Sequence, residues 1–273
     1  MDDLIKVPAK LLGDIAMPDF CSSCWWLKYR IRNKVPFSGF PGIFTVMDSF
    51  IKRRTHGWFD RNGAEPPWLA PIGPFTEYLD VPKAFGFTDQ KTGVHLYGVP
   101  DDLFRTKRND SVIVDYKLSR YKGPHDYMGP IYHTQVNGYA MIANALGLGP
   151  VTWTGLVYTT PQTSDADADD EDDQDENGFA IKFKVELVEI PIEPKKIAPL
   201  LEIADVLGKA KKKPAYSDGC KNCKRINSMV ELLSCLPPSD KRDLATAELL
   251  LETLFPNDDY LDMVCYFLNE IFQ

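Results

Sequence analysis

The chain has 273 residues, of which 44% are hydrophobic and 26% are charged, a composition typical of a soluble globular protein. A chain of this length buries roughly 70–75% of the surface that its unfolded form exposes, so it needs neither disulfides nor metals merely to fold. It contains no run of about 18 apolar residues, which excludes a membrane-spanning segment. The first six residues lack the basic and then apolar pattern of a secretory signal. We therefore expect a cytoplasmic protein whose cysteines are reduced thiols or metal ligands rather than disulfides.

The net charge of −8 is concentrated in one place. Residues Asp165 to Glu176, called the acidic segment below, include nine acidic side chains and no basic one. The rest of the chain has 31 basic and 30 acidic residues, a net charge of +1. A nucleic-acid partner is therefore not excluded. Basic clusters that favour such a partner lie at Lys52 to Arg54, at Arg105 to Arg108 and at Lys209 to Lys213.

In chain order, the first predicted helix begins in the stretch from Cys21 to Tyr29, and a second runs from Pro41 to about Arg54. Residues 62–93 are rich in Pro and Gly, which predicts loops with short strands. Residues 94–118 are predicted to form a β-hairpin with a polar turn from Arg105 to Asp110. Its second arm, from Ser111 to Lys117, carries a Val/Ile run typical of a buried central strand.

A helix is predicted from Tyr127 to Leu146, closed by Gly147, followed by strands at 151–158 and 179–190. The composition of residues 161–178 favours a disordered acidic loop. The remainder is predicted to be helical, with breaks near Pro214, Pro237 and Pro256. This order predicts an α/β layered fold with a mixed central sheet flanked by helices. We expect one domain over residues 1–236 and a C-terminal helical hairpin over residues 237–273, packed on the core.

Three short motifs follow one another: Gly-x-x-Asp ending at Asp101, Asp-x-Lys at Asp115 and Lys117, and Gln-x-x-x-Tyr at Gln135 and Tyr139. Side chains two apart on a strand project from the same face, which places Asp115 beside Lys117. Residues four apart on a helix share a face, as Gln135 and Tyr139 do. Converging carboxylates bind a hard cation that activates water, and a nearby lysine offsets developing negative charge. The motifs therefore supply the groups that hydrolysis of a phosphodiester requires.

In this order the motifs resemble those of the RecB-type branch of the PD-(D/E)XK nuclease superfamily. The resemblance implies a restriction-endonuclease-like core, with Asp101, Asp115 and the carbonyl of Tyr116 as ligands of Mg²⁺ or Mn²⁺. It implies Lys117 as the catalytic lysine and Gln135 and Tyr139 as the motif beside the site. That branch adds a Glu or His ligand from an early helix. Asp48 fits this metal-binding place best, and His56 is the alternative.

The chain has two Cys-x-x-Cys pairs, Cys21 with Cys24 and Cys220 with Cys223, and 195 residues lie between Cys24 and Cys220. Two such pairs supply the four sulfur ligands of a zinc ion or of an iron–sulfur cluster, here in a structural role. Four buried thiols without a metal are the alternative. Cys235 and Cys265 lie in apolar stretches and are expected in the core.

Some RecB-type nucleases, including CRISPR-associated exonucleases, hold a four-iron (4Fe–4S) cluster with one early cysteine and three late ones. Cys24 resembles the early cysteine, and Cys220 and Cys223 resemble two of the late ones. The third late cysteine is missing, and Cys21 is its substitute, which leaves zinc as the other candidate.

The resemblance implies a metal-dependent DNA nuclease that hydrolyses phosphodiesters with metal-activated water, on single-stranded DNA or DNA with free ends. Two alternatives remain open. One is a catalytically inactive nucleic-acid-binding module that keeps the nuclease fold. The other is an adaptor that binds protein partners through the acidic segment and the C-terminal helices.

Overall fold

The computed structural model describes residues 4–31, 42–170 and 174–234. The chain divides into two compact units, Met1–Cys220 and Lys221–Gln273. The helices are α1 (Ala9–Gly13), α2 (Ser22–Arg30), α3 (Gly42–Asn62), α4 (Gly129–Ala145), α5 (Asp165–Ala168), α6 (Ala198–Lys209) and α7 (Lys221–Ser234). The strands are β1 (Lys6–Pro8), β2 (Phe75–Tyr78), β3 (Gly86–Thr88), β4 (His95–Tyr97), β5 (Asp102–Thr106), β6 (Ser111–Lys117), β7 (Val151–Pro161), β8 (Gln174–Asp175), β9 (Gly178–Phe179) and β10 (Phe183–Ile190).

The central sheet has five strands in the order β10-β7-β6-β5-β2. Strands β6 and β7 are parallel and are connected through α4, whereas the other neighbours are antiparallel. The predicted α/β fold with a mixed sheet flanked by helices is therefore confirmed. Strand β6 lies in the middle of this sheet, and Val112, Ile113 and Val114 are all buried, as its continuous apolar run predicts.

Alternation along the strands gives the sheet two different apolar faces. On one face, called the α3 face, Phe59 of α3 packs with Phe104, Val114 and Tyr116. On the other, called the α4 face, Ile113 and Leu103 belong to the same core as residues of α4. Helix α4 begins at Gly129, two residues after the predicted start, with a proline in its first turn. Gly147 follows its end at φ +74°, as the sequence predicts.

The predicted hairpin over residues 94–118 is correct for its second arm and wrong for its first. Strand β5 is the true partner of β6, with Leu103 opposite Ile113. Strand β4 instead joins a separate three-stranded sheet, β1-β4-β3. The interruption comes from Gly98, which has φ +155°, and from Pro100, which has no N–H to donate to a ladder.

Residues 161–178 were predicted to be a disordered loop. In the described part of that range, α5 begins with a capping box formed by Ser164 and Asp167, and β8 pairs with β9. The side chains of β8 and β9 are exposed. The predicted boundary after residue 236, the C-terminal helical hairpin, Cys235 and Cys265 lie outside the described residues.

Candidate functional site

The two predicted carboxylates lie at neighbouring strand ends. Asp115 is on β6 and is 3% exposed. Asp101 precedes β5, and its Oδ2 atom accepts the main-chain N–H of Tyr116 at 2.7 Å. Burial and the nearby negative charge of Asp115 raise the pKa of Asp101 to about 7, although Lys52 acts in the opposite direction. Burial and the charge of Asp115 therefore oppose ionisation of Asp101, which is the electrostatic condition that a cation relieves.

Each carboxylate has an ammonium partner. Lys117 forms an ion pair with Asp115 Oδ2 on the α4 face, as their strand spacing predicts. Lys52 of α3 lies 3.5 Å from Asp101 Oδ1. The Lys117 Nζ atom also lies 4.3 Å from the ring centroid of Tyr132, which is a cation–π contact.

Gln135 and Tyr139 of α4 join the same site. The Nε2 amide of Gln135 donates to Asp115 Oδ1 at 3.1 Å and to the Tyr139 hydroxyl at 2.8 Å. Both side chains are at least 90% buried. Burial and the charge of Asp115 raise the pKa of Tyr139, so its hydroxyl stays protonated. We call Asp101, Asp115, Lys117, Gln135 and Tyr139 the acidic centre.

The close approach of Tyr139 gives a physical reason for glycine in the Gly-x-x-Asp motif. A Cβ atom added at Gly98 would lie 2.7 Å from Tyr139 Cε1, closer than packed carbon atoms tolerate. Gly98 also has φ +155°, a backbone conformation that residues with a Cβ rarely adopt. The Gly-x-x-Asp and Gln-x-x-x-Tyr motifs therefore fit together through this contact.

The two candidates for the fourth metal-binding position lie differently on α3. The negative charge of Asp48 contributes to the raised pKa of Asp101, so Asp48 is near enough to the acidic centre to influence its charge. His56 instead lies against Asp102, with its Nε2 atom 2.6 Å from Asp102 Oδ1. That hydrogen bond is the main cause of the raised pKa of His56.

Asp102 belongs to a buried set of side chains on the α3 face. The Tyr116 hydroxyl donates to Asp102 Oδ2 at 2.5 Å and lies 3.3 Å from Thr55 Oγ1. We call His56, Asp102, Tyr116 and Thr55 the His56 network. Asp102 and Thr55 are at most 3% exposed.

Sequence reasoning missed the roles of Lys52, Tyr132 and Asp102. Lys52 stands four residues after Asp48, and Tyr132 stands three before Gln135, so helical spacing predicts a shared face in each case. Asp102 directly follows Asp101, and strand alternation would have turned it towards Tyr116. No local pattern indicates that His56, 46 residues away, would pair with it.

The four predicted cysteines lie together. Their Sγ atoms all lie within 4.8 Å of one another, and those of Cys24 and Cys220 are 3.4 Å apart. The four thiols are not joined in disulfides. The main-chain N–H of Ser217 approaches Cys21 Sγ at 3.5 Å. The group can hold a metal ion such as zinc, or an iron–sulfur cluster.

The chain segment before Cys220 is held against α2 by contacts that do not involve the thiols. Ser22 Oγ donates to the carbonyl of Ala215, and the Trp26 indole N–H donates to that of Ala210. Arg30 donates to the same Ala210 carbonyl at 2.8 Å and lies over the Trp26 ring. These contacts bring Cys220 close to the two cysteines of the first pair.

A cavity of about 610 Å³ lies apart from both groups, at the start of α4. Its lining includes His133, Asn137, Glu193 and Lys196, and no member of the acidic centre. Burial lowers the pKa of His133. This cavity is therefore not the predicted catalytic site.

The sequence matches no protein-family model and no curated protein. Within the described residues, no helix combines the length and apolar character that crossing a membrane requires. The interpretation of the site therefore depends on the geometry of its own residues.

Proposed function

We propose that this protein is a Mg²⁺- or Mn²⁺-dependent DNA nuclease with a restriction-endonuclease-like core of the PD-(D/E)XK type. The observation that carries the proposal is the convergence of Asp101, Asp115 and Lys117 with Gln135 and Tyr139 at one end of β5 and β6. Four of these side chains come from a strand and a helix on the same face of the sheet, and Asp101 comes from the neighbouring strand end.

The residues fit a hard divalent cation. Two mostly buried carboxylates at adjacent strand ends supply the oxygen ligands that Mg²⁺ and Mn²⁺ prefer, and the Tyr116 carbonyl and Asp48 are the further ligands we propose. The raised pKa of Asp101 supports cation binding, because an added positive charge would stabilise its ionised carboxylate. When bound, the ion supplies a Lewis acid and lowers the pKa of water.

Lys117 and Gln135 act on the reacting groups in complementary ways. Lys117 carries a positive charge that Tyr132 and Asp115 keep beside the carboxylates, where it offsets negative charge that develops on a phosphate. Gln135 holds the Asp115 carboxylate through its amide and so fixes one ligand. The proposed substrate is single-stranded DNA or DNA with free ends, which follows from the family resemblance alone.

The proposal is tested by incubating labelled single- and double-stranded DNA with the purified chain, with and without Mn²⁺. We expect Mn²⁺-dependent cleavage that Lys117→Ala reduces at least about 100-fold. The matched control is Lys91→Ala, which removes an exposed lysine paired with Glu202 and leaves cleavage unchanged. Salt-sensitive binding without cleavage would favour an inactive nucleic-acid-binding module, and neither activity would favour an adaptor.

We propose that the four thiols hold one tetrahedral ion, with zinc the best fit, rather than the four-iron cluster that the resemblance implies. Four thiolates around one ion at about 2.3 Å lie about 3.8 Å apart. In a four-iron cluster each thiolate binds a separate iron, so the sulfur atoms lie farther apart. Separations within 4.8 Å support the single ion.

Metal analysis and visible absorption of protein purified without oxygen distinguish the two groups. We expect one zinc per chain and a colourless protein, and Cys24→Ser loses the zinc. A brown protein with iron and acid-labile sulfide would contradict the assignment.

A further inference from the structure

The His56 network lies directly behind the acidic centre, on the opposite face of the sheet. Its central carboxylate, Asp102, is 3% exposed, and a buried carboxylate is costly unless it is hydrogen-bonded and paired. His56 from α3 and the hydroxyl of Tyr116 from β6 satisfy one oxygen each, at 2.6 and 2.5 Å. The network therefore ties one helix and two strands together at a single point.

Both strand residues of this network are adjacent in sequence to members of the acidic centre. Asp102 follows Asp101, and Tyr116 lies between Asp115 and Lys117. Tyr116 is held from both sides, because its hydroxyl donates to Asp102 while its main-chain N–H donates to Asp101. A shift of Asp102 or Tyr116 on the α3 face therefore moves the carboxylate and the peptide carbonyl that would bind the cation.

The His56 ring is itself held in one orientation. It stacks on Tyr78 with 4.0 Å between the ring centroids and 6° between the planes. The hydroxyl of Tyr78 donates to Asp60 of the same helix as His56. With the ring fixed and its Nε2 atom directed at Asp102, His56 contributes to the site through Asp102 rather than through direct contact.

We infer that His56 is a positioning residue of the proposed nuclease: through Asp102 and Tyr116 it fixes the cation-binding geometry of Asp101 and of the Tyr116 carbonyl. The inference rests on the proposed function and goes beyond it. It differs from the assignment of His56 as a metal ligand, because the imidazole hydrogen-bonds a carboxylate that lies behind the site. Removal of the contact should weaken cation binding more than it slows the reaction at saturating cation.

The test compares His56→Leu with His56→Gln in the full chain. The glutamine variant supplies an N–H donor for Asp102, whereas leucine removes it. The measurements are Mn²⁺ binding by calorimetry and cleavage rate against Mn²⁺ concentration. We expect His56→Leu to raise the Mn²⁺ dissociation constant about 10-fold or more, and His56→Gln to restore most of the affinity. Tyr116→Phe keeps the ring and removes the hydroxyl, so it should weaken Mn²⁺ binding as His56→Leu does. It replaces His56→Leu in the test if that variant does not fold.

Three results would overturn the inference, and each has its own signature. Unchanged Mn²⁺ affinity in folded His56→Leu and Tyr116→Phe would show that the network has no influence on the site, although the nuclease proposal would stand. Nitrogen coupling from an imidazole to bound Mn²⁺, seen by electron spin-echo spectroscopy, would make His56 a ligand. A wild-type chain that neither binds Mn²⁺ nor cleaves DNA would overturn the nuclease proposal, and this inference with it.

Discussion

Asp101 and Asp102 are neighbours in the chain and lie in opposite electrostatic surroundings. Asp102, on the α3 face, has two close hydrogen-bond donors, the His56 imidazole and the Tyr116 hydroxyl. Asp101, at the acidic centre, accepts one main-chain N–H and lies 3.5 Å from Lys52, and burial together with the charge of Asp115 raises its pKa to about 7. The same side chain thus stabilises the fold at one position and is strained at the next. A carboxylate whose ionisation is opposed by burial and by a neighbouring like charge is more typical of a functional site than of a structural one.

Substitution of Asp115 at the acidic centre should cause the greatest loss of activity. Asp115→Asn removes the charge that faces Lys117 and Gln135, so we expect DNA cleavage to fall at least about 1,000-fold. Steady-state cleavage assays at saturating Mn²⁺ measure it. The circular dichroism spectrum of the variant should match that of the wild type, which shows that it folds. Cleavage near the wild-type rate would contradict the assignment of Asp115.

The contrast between the two neighbouring aspartates predicts stability changes of opposite sign. Asp102→Asn loses charge-assisted hydrogen bonds and places its amide NH₂ group against a donor of His56 or Tyr116. The free energy of unfolding should therefore fall by about 2–3 kcal/mol. Asp101→Asn relieves repulsion and burial of charge, so unfolding free energy should rise by about 1 kcal/mol.

Urea unfolding without added Mg²⁺ or Mn²⁺ measures both changes. If both variants lowered stability by the same amount, the distinction between the two faces would be lost.

A further change acts on the α4 face alone. Gly98→Ala places a Cβ atom 2.7 Å from Tyr139 Cε1, and overpacking of this kind costs about 1–3 kcal/mol. Gly178→Ala is the matched control, because Gly178 has φ +154° and open space around it. Urea unfolding should show a larger loss at Gly98 than at Gly178, and equal losses would mean that backbone strain rather than the contact with Tyr139 requires the glycine.

A smaller change is expected in the pH dependence of stability, which has opposite signs at His56 and His133. The raised pKa of His56 means that its contribution to stability is present below pH 6.5 and is lost as pH rises through its folded-state pKa. The lowered pKa of His133 means that the fold loses stability as pH falls below 6.5.

His56→Gln should therefore be most destabilising at acidic pH, whereas His133→Gln should relieve a cost there. Thermal unfolding at pH 5.5 and pH 8 measures both differences. Parallel pH profiles for the two variants would contradict these assignments.

Local patterns predicted the parts of the site that come from single elements. Asp115 and Lys117 share a strand, Gln135 and Tyr139 share a helix, and the spacing alone places each pair on one face. The convergence of the four cysteines was also expected from the two Cys-x-x-Cys pairs, because two such pairs can supply the four ligands of one metal site.

The contacts that the sequence did not predict join distant segments. Lys52 meets Asp101 from a helix 49 residues earlier, and His56 meets Asp102 across 46 residues. The separation of β4 from β5 was also missed, because an apolar run before Gly98 has the same alternation in either sheet. Periodicity identifies a face, and only the three-dimensional packing decides which helix covers it.

We expect a divalent cation to bind between the carboxylates of Asp101 and Asp115. Crystals soaked in Mn²⁺ and measured near the manganese absorption edge test it directly. We predict an anomalous-difference peak within about 2.2 Å of oxygen atoms from both carboxylates. A map with no peak there, or with manganese only along the acidic segment, would contradict the account.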